Sequence, residues 1–193
     1  MLRLRWIAIF NFDGFIHFQK VKMKIEDFAR FYDDHYAEIF RFCFKMVKYR
    51  QDAEDLTDET FVKAFYNYDP NHKTSFRTFI FKIAKNLCLD FYKTKKYKEK
   101  ERTVIIDAEL MVDDSLETNG DLLQQENLNA LYQCLDKLED EEKLSIRFYF
   151  IEKFTYREIA NILEKSTSTI KNRVDSGLKN LKKCLRKNGI VDS

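Results

Sequence analysis

The chain has 193 residues, a formal net charge of +2, 45% hydrophobic residues, 18 Phe and 10 Tyr. That length allows one or two domains with an aromatic-rich core. With one Pro and four Gly (Gly14, Gly120, Gly177, Gly189), it has too few turn formers for an all-β fold. None of the glycines sits in a phosphate-cradling cluster, which excludes P-loop and dinucleotide fingerprints. An all-α protein is the simplest reading.

Residues 1–22, MLRLRWIAIFNFDGFIHFQKVK, are rich in aromatics but show no helical period. Their longest apolar run, Trp6 to Phe10, is too short for a membrane span or a signal-peptide core. They read either as an ordered extension or as residues ahead of a true start at Met23, where a helical pattern begins. The composition fits a soluble cytoplasmic protein with no membrane insertion.

Three helices are predicted next. From Ile25 to about Tyr49, Phe28, Tyr32, Tyr36, Ile39, Cys43, Met46 and Val47 recur at helical spacing. From about Asp52 to Tyr68, Ala53, Leu56, Phe61, Ala64 and Phe65 face one way. Asp52, Asp55 and Glu59 then share a stripe away from that face. An acidic stripe near a helix start suits the macrodipole, and it equally suits docking to a basic partner. The third helix runs from about Ser75 to Lys98, with Phe76, Phe79, Ile80, Ile83, Ala84, Leu87, Cys88 and Phe91 on a wide apolar face. Lys82, Lys85, Asn86, Lys93 and Lys96 gather on the other side, as in an electrostatic track for phosphates. Tyr66 and Tyr68 precede the loop Asp69–Thr74. They either receive an unstacked base or simply finish the helical core before a plain turn.

Charge is distributed unevenly along the chain. Lys93 to Arg102 is mostly basic, whereas Thr103 to Asn127 has no Lys or Arg and carries Asp107, Glu109, Asp113, Asp114, Glu117, Asp121 and Glu126. Two basic lobes joined by an acidic tether are expected, and such a tether stays extended. An exposed loop whose charges serve solubility is the plainer alternative. The predicted division is 23–100 for the first domain, 101–126 for a flexible linker, 127–187 for the second domain and 188–193 for a tail.

In the second lobe, Thr155-Tyr-Arg-Glu158 is a capping box that opens the short helix TYREIANIL. Glu164 and Lys165 join it to a longer helix with Ser166 as N-cap. Ile170, Val174, Leu178, Leu181 and Leu185 form the apolar stripe of that helix, opposite Lys171, Asn172, Asp175, Lys179 and Lys182. Two helices with a basic second member describe a helix-turn-helix, which places its second helix in the DNA major groove. An ordinary helical hairpin with a solvated basic face is the alternative.

No catalytic chemistry is legible. Cys43, Cys88, Cys134 and Cys184 are far apart, with no CxxC pair and no His at zinc-ligand spacing. Each lies on or beside an apolar stripe, so buried reduced thiols are expected rather than disulfides or a metal site. His17, His35 and His72 are equally scattered. Without a nucleophile–base pair, metal cluster or phosphate loop, the chain reads as neither an enzyme nor a cofactor binder.

The segments DAEDLTDETFVKAF (Asp52 to Phe65) and FRTFIFKIAKN (Phe76 to Asn86) resemble region 2 of a bacterial extracytoplasmic-function (ECF) sigma factor. LDKLEDEEKLSIRFYFIEKFTYREIANILEKSTSTIKNRV resembles region 4 of the same family. The resemblance covers roughly Met23 to Lys187. It implies two small helical domains around the acidic linker and a factor that binds core RNA polymerase and directs it to promoters. Asp52, Glu54, Asp55 and Glu59 would then dock on the beta-prime clamp helices. Tyr68, Asn71, His72, Lys73, Lys82, Lys85, Asn86 and Lys93 would capture the melted −10 element. In the recognition helix, Lys171, Asn172, Asp175 and Ser176 would read −35 base edges, and Thr169 and Arg173 would contact phosphates. Region 4 would also pack on the beta flap, and an anti-sigma factor is an expected partner.

The chain departs from the family pattern in places. Phe79-Ile80 stands where Trp-Leu is usual, Glu164 replaces the turn Gly, and Asp175-Ser176-Gly177 stands where Arg-Ala often follows the motif. Gly177 inside a helix costs about 1 kcal/mol relative to Ala. Two other function classes are a helix-turn-helix regulator with an N-terminal interaction domain and an enzyme of unrecognised type. The first lacks the apolar-pocket character a ligand sensor needs, and the second lacks any catalytic constellation.

Overall fold

The structure is a computed structural model and describes residues 23–71, 73–94 and 122–190. The expectations for residues 1–22, for His72 and for the basic and acidic stretches within 95–121 lie outside the described residues. The described residues form α-helices and one π-helical turn, with no strand among them. The first lobe comprises α1 (Ile25–Val47), α2 (Arg50–Asn67) and α3 (Phe76–Lys93). The second comprises α4 (Leu122–Asp136), α5 (Asp140–Ile146), the π-turn (Arg147–Ile151), α6 (Tyr156–Leu163) and α7 (Thr167–Lys187). The helix α4 begins inside the stretch read from sequence as linker.

The first lobe follows from its aromatic periodicity. Phe28, Tyr32, Ile39, Phe42, Cys43 and Val47 put one face of α1 into the core. Phe28 meets Phe65 edge-on at 4.8 Å and Tyr32 meets Phe61 at 4.6 Å, which ties α1 to α2. Lys48, in the left-handed region at φ 62°, ends α1 and turns the chain into α2. Buried Thr57 and Thr60 donate to the carbonyls of Ala53 and Leu56 at 2.6 Å, so neither hydroxyl is left unsatisfied. At the start of α3, Ser75 Oγ accepts from the Thr78 amide at 3.2 Å and caps the helix.

In the second lobe the capping box forms as the sequence implies. Thr155 Oγ1 accepts from the Glu158 amide at 3.3 Å, and Glu158 Oε2 accepts from the Thr155 amide at 2.9 Å. Ser166 caps α7 through the Thr169 amide at 3.1 Å. Ile170 and Val174 are buried, whereas Leu178, expected on the same stripe, is 37% exposed. The inner face of α7 turns toward α5 at Gly177 instead. A Cβ there would lie 2.6 Å from Ile146 Cδ1 and 3.3 Å from Glu142 Cβ, so glycine permits the close approach of α5 and α7. That contact offsets the helix-propensity cost of Gly177.

The expectation of four reduced thiols is corrected. Cys43 and Cys88 are buried and free, but Cys134 and Cys184 form a disulfide between α4 and the last turns of α7. Their 50-residue separation hid the pair from any local spacing argument, because only the packing of α4 against α7 brings them together.

The two lobes share one core. Phe42 of α1 stacks on Phe148 of the π-turn at 5.5 Å, and Phe81 of α3 meets Phe154 edge-on at 5.0 Å. All four rings are buried, so water is excluded from this junction. Charges frame it. Arg77 of α3 pairs with Glu38 of α1, donates to the Glu152 carbonyl at 2.7 Å and stacks over Phe154 at 4.0 Å. Arg147 donates to the Phe42 carbonyl at 3.4 Å, lies 4.7 Å over the Phe42 ring and pairs with Glu152 at 3.4 Å. Burial lowers the Arg147 pKa, and Glu152 opposes that shift. Planar guanidinium groups suit such sites because they pair and stack at once.

Candidate nucleic-acid interface

One candidate surface lies on α3. Thr78, Lys82 and Lys85 fall on one line at i, i+4 and i+7, with Asn86 beside them. Next to this line is a cleft of about 400 Å³. Asn67, Tyr68, Asp69 and Thr74 form one wall, and Phe79, Ile83 and Asn86 of α3 form the floor. Tyr68 is buried, donates to the Thr74 carbonyl at 3.4 Å and meets Phe76 edge-on at 5.1 Å. Burial, helped by Asp69, raises the pKa of its hydroxyl. The Tyr68 ring is thus core, while its rim faces the cleft. The Asn71 amide donates to Asp69 Oδ1 at 3.0 Å, a local turn that leaves Asn71 and Lys73 exposed. Lys93 is exposed and pairs with Asp90 at 3.2 Å.

Two of the basic residues on α3 are met by the second lobe: the Lys82 side chain stays 39% exposed in an ion pair, whereas Lys85 is buried. Lys82 Nζ pairs with Glu164 of the second lobe at 2.7 Å. Lys85, expected on the exposed basic side, is only 6% exposed. The reason is α6, which packs against α3 and covers that side. Burial lowers the Lys85 pKa, and the Glu164 carboxylate works against that shift. Asn161 of α6 closes the cleft from the second lobe.

A second candidate surface lies on α7. Lys171, Asn172 and Asp175 are exposed on one face, which Ser168 and Lys179 extend. Lys179, one turn beyond Asp175, belongs to this face by helical spacing although it was not among the candidate readers. Other candidates are held by neighbours. Arg173 is paired with Glu141 of α5, and Ser176 Oγ donates to Glu142 Oε1 at 2.6 Å. Thr169 is half-buried beside its Ser166 cap. Glu141 and Glu142 therefore orient α7 from behind while its outer face stays open.

The acidic stripe of α2 is partly corrected. Asp55 and Glu59 are exposed and Glu54 is half-buried, with Glu54 paired to Arg50 at 3.0 Å and Glu59 to Lys63 at 2.9 Å. Asp52 is only 3% exposed and is not part of that outer face. It lies one turn before buried Leu56, on the core-facing side of the helix. No described helix is long and apolar enough to cross a membrane, and the described residues hold no cluster able to bind a metal ion.

Both lobes match known families. Residues 31–97 match sigma-70 region 2, and residues 134–183 match sigma-70 region 4. The chain is 28% identical over 162 residues to the ECF RNA polymerase sigma factor SigX of Bacillus subtilis, covering 82% of this chain and 83% of that protein. It is also 28% identical over 183 residues to SigW of the same organism, covering 87% and 94%. Among solved structures, CnrH in complex with the cytosolic domain of CnrY has a TM-score of 0.59 at 18% identity, over 85% of this chain and 90% of that one. The sigma factor RpoE bound to the anti-sigma factor NepR, from Bartonella quintana, has a TM-score of 0.60 at 21% identity, over 84% and 98%. The region 2 match followed by the region 4 match, with these relatives, places this chain in the ECF group of sigma factors.

Proposed function

We propose that this chain binds core RNA polymerase in the cytoplasm and directs it to promoters. The outer face of α2, with Glu54, Asp55 and Glu59, docks on the clamp helices of the beta-prime subunit. The α3 line of Lys82, Lys85 and Asn86, with the cleft rimmed by Tyr68 and the exposed Asn71 and Lys73, takes the unpaired −10 strand. Lys93 supplies a further phosphate contact. Bases lifted from the stack enter such clefts and are read by the groups that line them. The open face of α7 reads the −35 duplex through Lys171, Asn172 and Asp175. Lysine donates to guanine, asparagine pairs bidentately with adenine, and a carboxylate accepts from the cytosine amino group. Thr169 and Arg173 meet phosphates at the edge of this face, and Ser176 adds a polar contact. An anti-sigma factor is the expected regulatory partner, and region 4 packs on the beta flap. The chain has no catalytic role of its own and needs no cofactor.

The observation that carries this reading is the order on one chain of a region 2 match and a region 4 match, each built around such a helix. Capture of core polymerase by the full chain tests it. The double variant Asp55→Lys, Glu59→Lys changes only exposed positions, so the fold should hold to within about 0.5 kcal/mol. Core affinity should fall at the same time. Unchanged capture would remove α2 from the interface, and absence of capture by the native chain would favour a stand-alone DNA-binding regulator.

A further inference from the structure

The −10 candidate surface and the helix-turn-helix face each other in this chain. On α3 the facing groups are Thr78, Lys82 and Lys85; on the other side they are Glu158, Asn161 and Glu164. Thr78 Oγ1 donates to Glu158 Oε1 at 3.5 Å, and Lys82 Nζ meets Glu164 Oε1 at 2.7 Å. Lys85 is buried in the same contact. Glu164 also sits in a demanding place. It ends α6 in the left-handed region at φ 56°, where glycine is favoured over any residue with a side chain. The chain nevertheless carries there a carboxylate whose oxygen lies at ion-pair distance from a lysine otherwise suited to a phosphate. A carboxylate and a phosphate oxygen make the same charge-assisted bond to an ammonium group.

We propose that Glu164 acts as an internal stand-in for promoter phosphate, holding Lys82 and screening Lys85 so that the free chain masks its own −10 surface. The inference rests on the −10 assignment of α3 made above. Nucleic acid and the helix-turn-helix compete for one pair of cations, so α3 engages a single strand through both Lys82 and Lys85 only in the fraction of molecules whose lobes have separated. Apparent affinity is then the intrinsic affinity scaled by that fraction. The buried Phe42, Phe81, Phe148 and Phe154 hold the lobes together, and Glu164 adjusts the balance. Its effect is that of a partly exposed ion pair, a change of about two- to fivefold in the open fraction.

The test is a double-mutant cycle on the full chain, read as affinity for fluorescein-labelled single-stranded DNA of random sequence. Glu164→Gln, which keeps the backbone demand but removes the charge, should tighten binding about two- to fivefold. Glu164→Gly should do at least as much, and it guards against a folding artefact because glycine suits φ 56°. In a Lys82→Gln background the gain from Glu164→Gln should shrink, because the partner is gone. The proposal is overturned if neither Glu164 variant tightens binding, or if the gain is as large without Lys82, which would mark simple charge removal. The −10 reading has its own arm. Within Glu164→Gln, adding Lys82→Gln removes only the DNA contact and should weaken binding; an unchanged affinity there would defeat the −10 role of Lys82.

Discussion

The helices α3 and α7 are both basic and are both candidates for nucleic acid, yet the fold presents them differently. On α7 the neutral and apolar side packs inward on α5 and α6, and Lys171, Asn172 and Asp175 look outward. On α3 the basic line itself is packed, with Lys82 ion-paired and Lys85 buried beneath α6. The proposed −35 face is therefore open, whereas on the proposed −10 side Lys82 is held in an ion pair and Lys85 is covered by the second lobe, with Asn71, Lys73 and Asn86 still exposed. A duplex reader can be exposed from the outset. A single-strand reader is needed only after polymerase has joined and the strands have parted, so covering it until then limits stray binding to any cationic groove.

The largest expected effect separates the lobes by redox state. The Cys134–Cys184 link closes a long loop in the α7 lobe, whereas Cys43 and Cys88 of the first lobe are buried and form no disulfide. Reduction should destabilise the second lobe by about 2–4 kcal/mol and lower its melting temperature. The Cys134→Ser variant should melt alike with and without reductant. A native melt insensitive to reductant would remove the disulfide from the account. The close approach at Gly177 gives a similar contrast without redox chemistry. Gly177→Val drives side-chain atoms into Ile146 and should cost about 1–3 kcal/mol by chemical denaturation; equal stability would mean α5 gives way freely.

Smaller effects sharpen the difference between the two faces. Asn172→Ala should relax selectivity at one −35 base pair by about 1–3 kcal/mol in a duplex-binding series. Because that face is open, the loss should appear in the free chain. Asp175→Ala should lose selectivity if the carboxylate reads cytosine and should tighten binding to every sequence if it only repels phosphate. The smallest effect expected is on the ion pair between α1 and α3 in the first lobe. Burial raises the Glu38 carboxyl, but hydrogen bonds from His35 and Arg77 outweigh it and bring its pKa down to about 2. A carboxyl depressed in the folded chain contributes stability above its ordinary value of 4.5 and loses it as pH falls toward 2. Stability to denaturant should fall over that window, and Glu38→Gln should reduce the dependence. A stability constant through pH 3 would mean that the Glu38–Arg77 pair contributes nothing to the fold.

Five of the helices were legible because their signals are local; α4, α5 and the π-turn were not read from the sequence. Apolar spacing located α1, α2 and α3, Thr155 and Glu158 announced α6, and Ser166 announced α7. What sequence could not supply was long-range. Asp52 reads as part of an acidic stripe with Asp55 and Glu59, and only packing shows that Asp52 falls on the buried side of that boundary. Cys134 and Cys184 look like isolated thiols until α4 lies along α7. Lys85 reads as exposed because helical periodicity describes one lobe at a time, and the second lobe covers it. Glu164 stood out in sequence only as an awkward replacement for glycine; its partner Lys82 is 82 residues away and on another lobe.

Transcription reconstituted from core RNA polymerase, this full chain and a library of genomic fragments tests the central claim most directly. Transcripts should appear only with the chain added, and their start points should share two upstream sequence elements. Transcripts independent of the chain, or none at all despite DNA binding by α7, would contradict it.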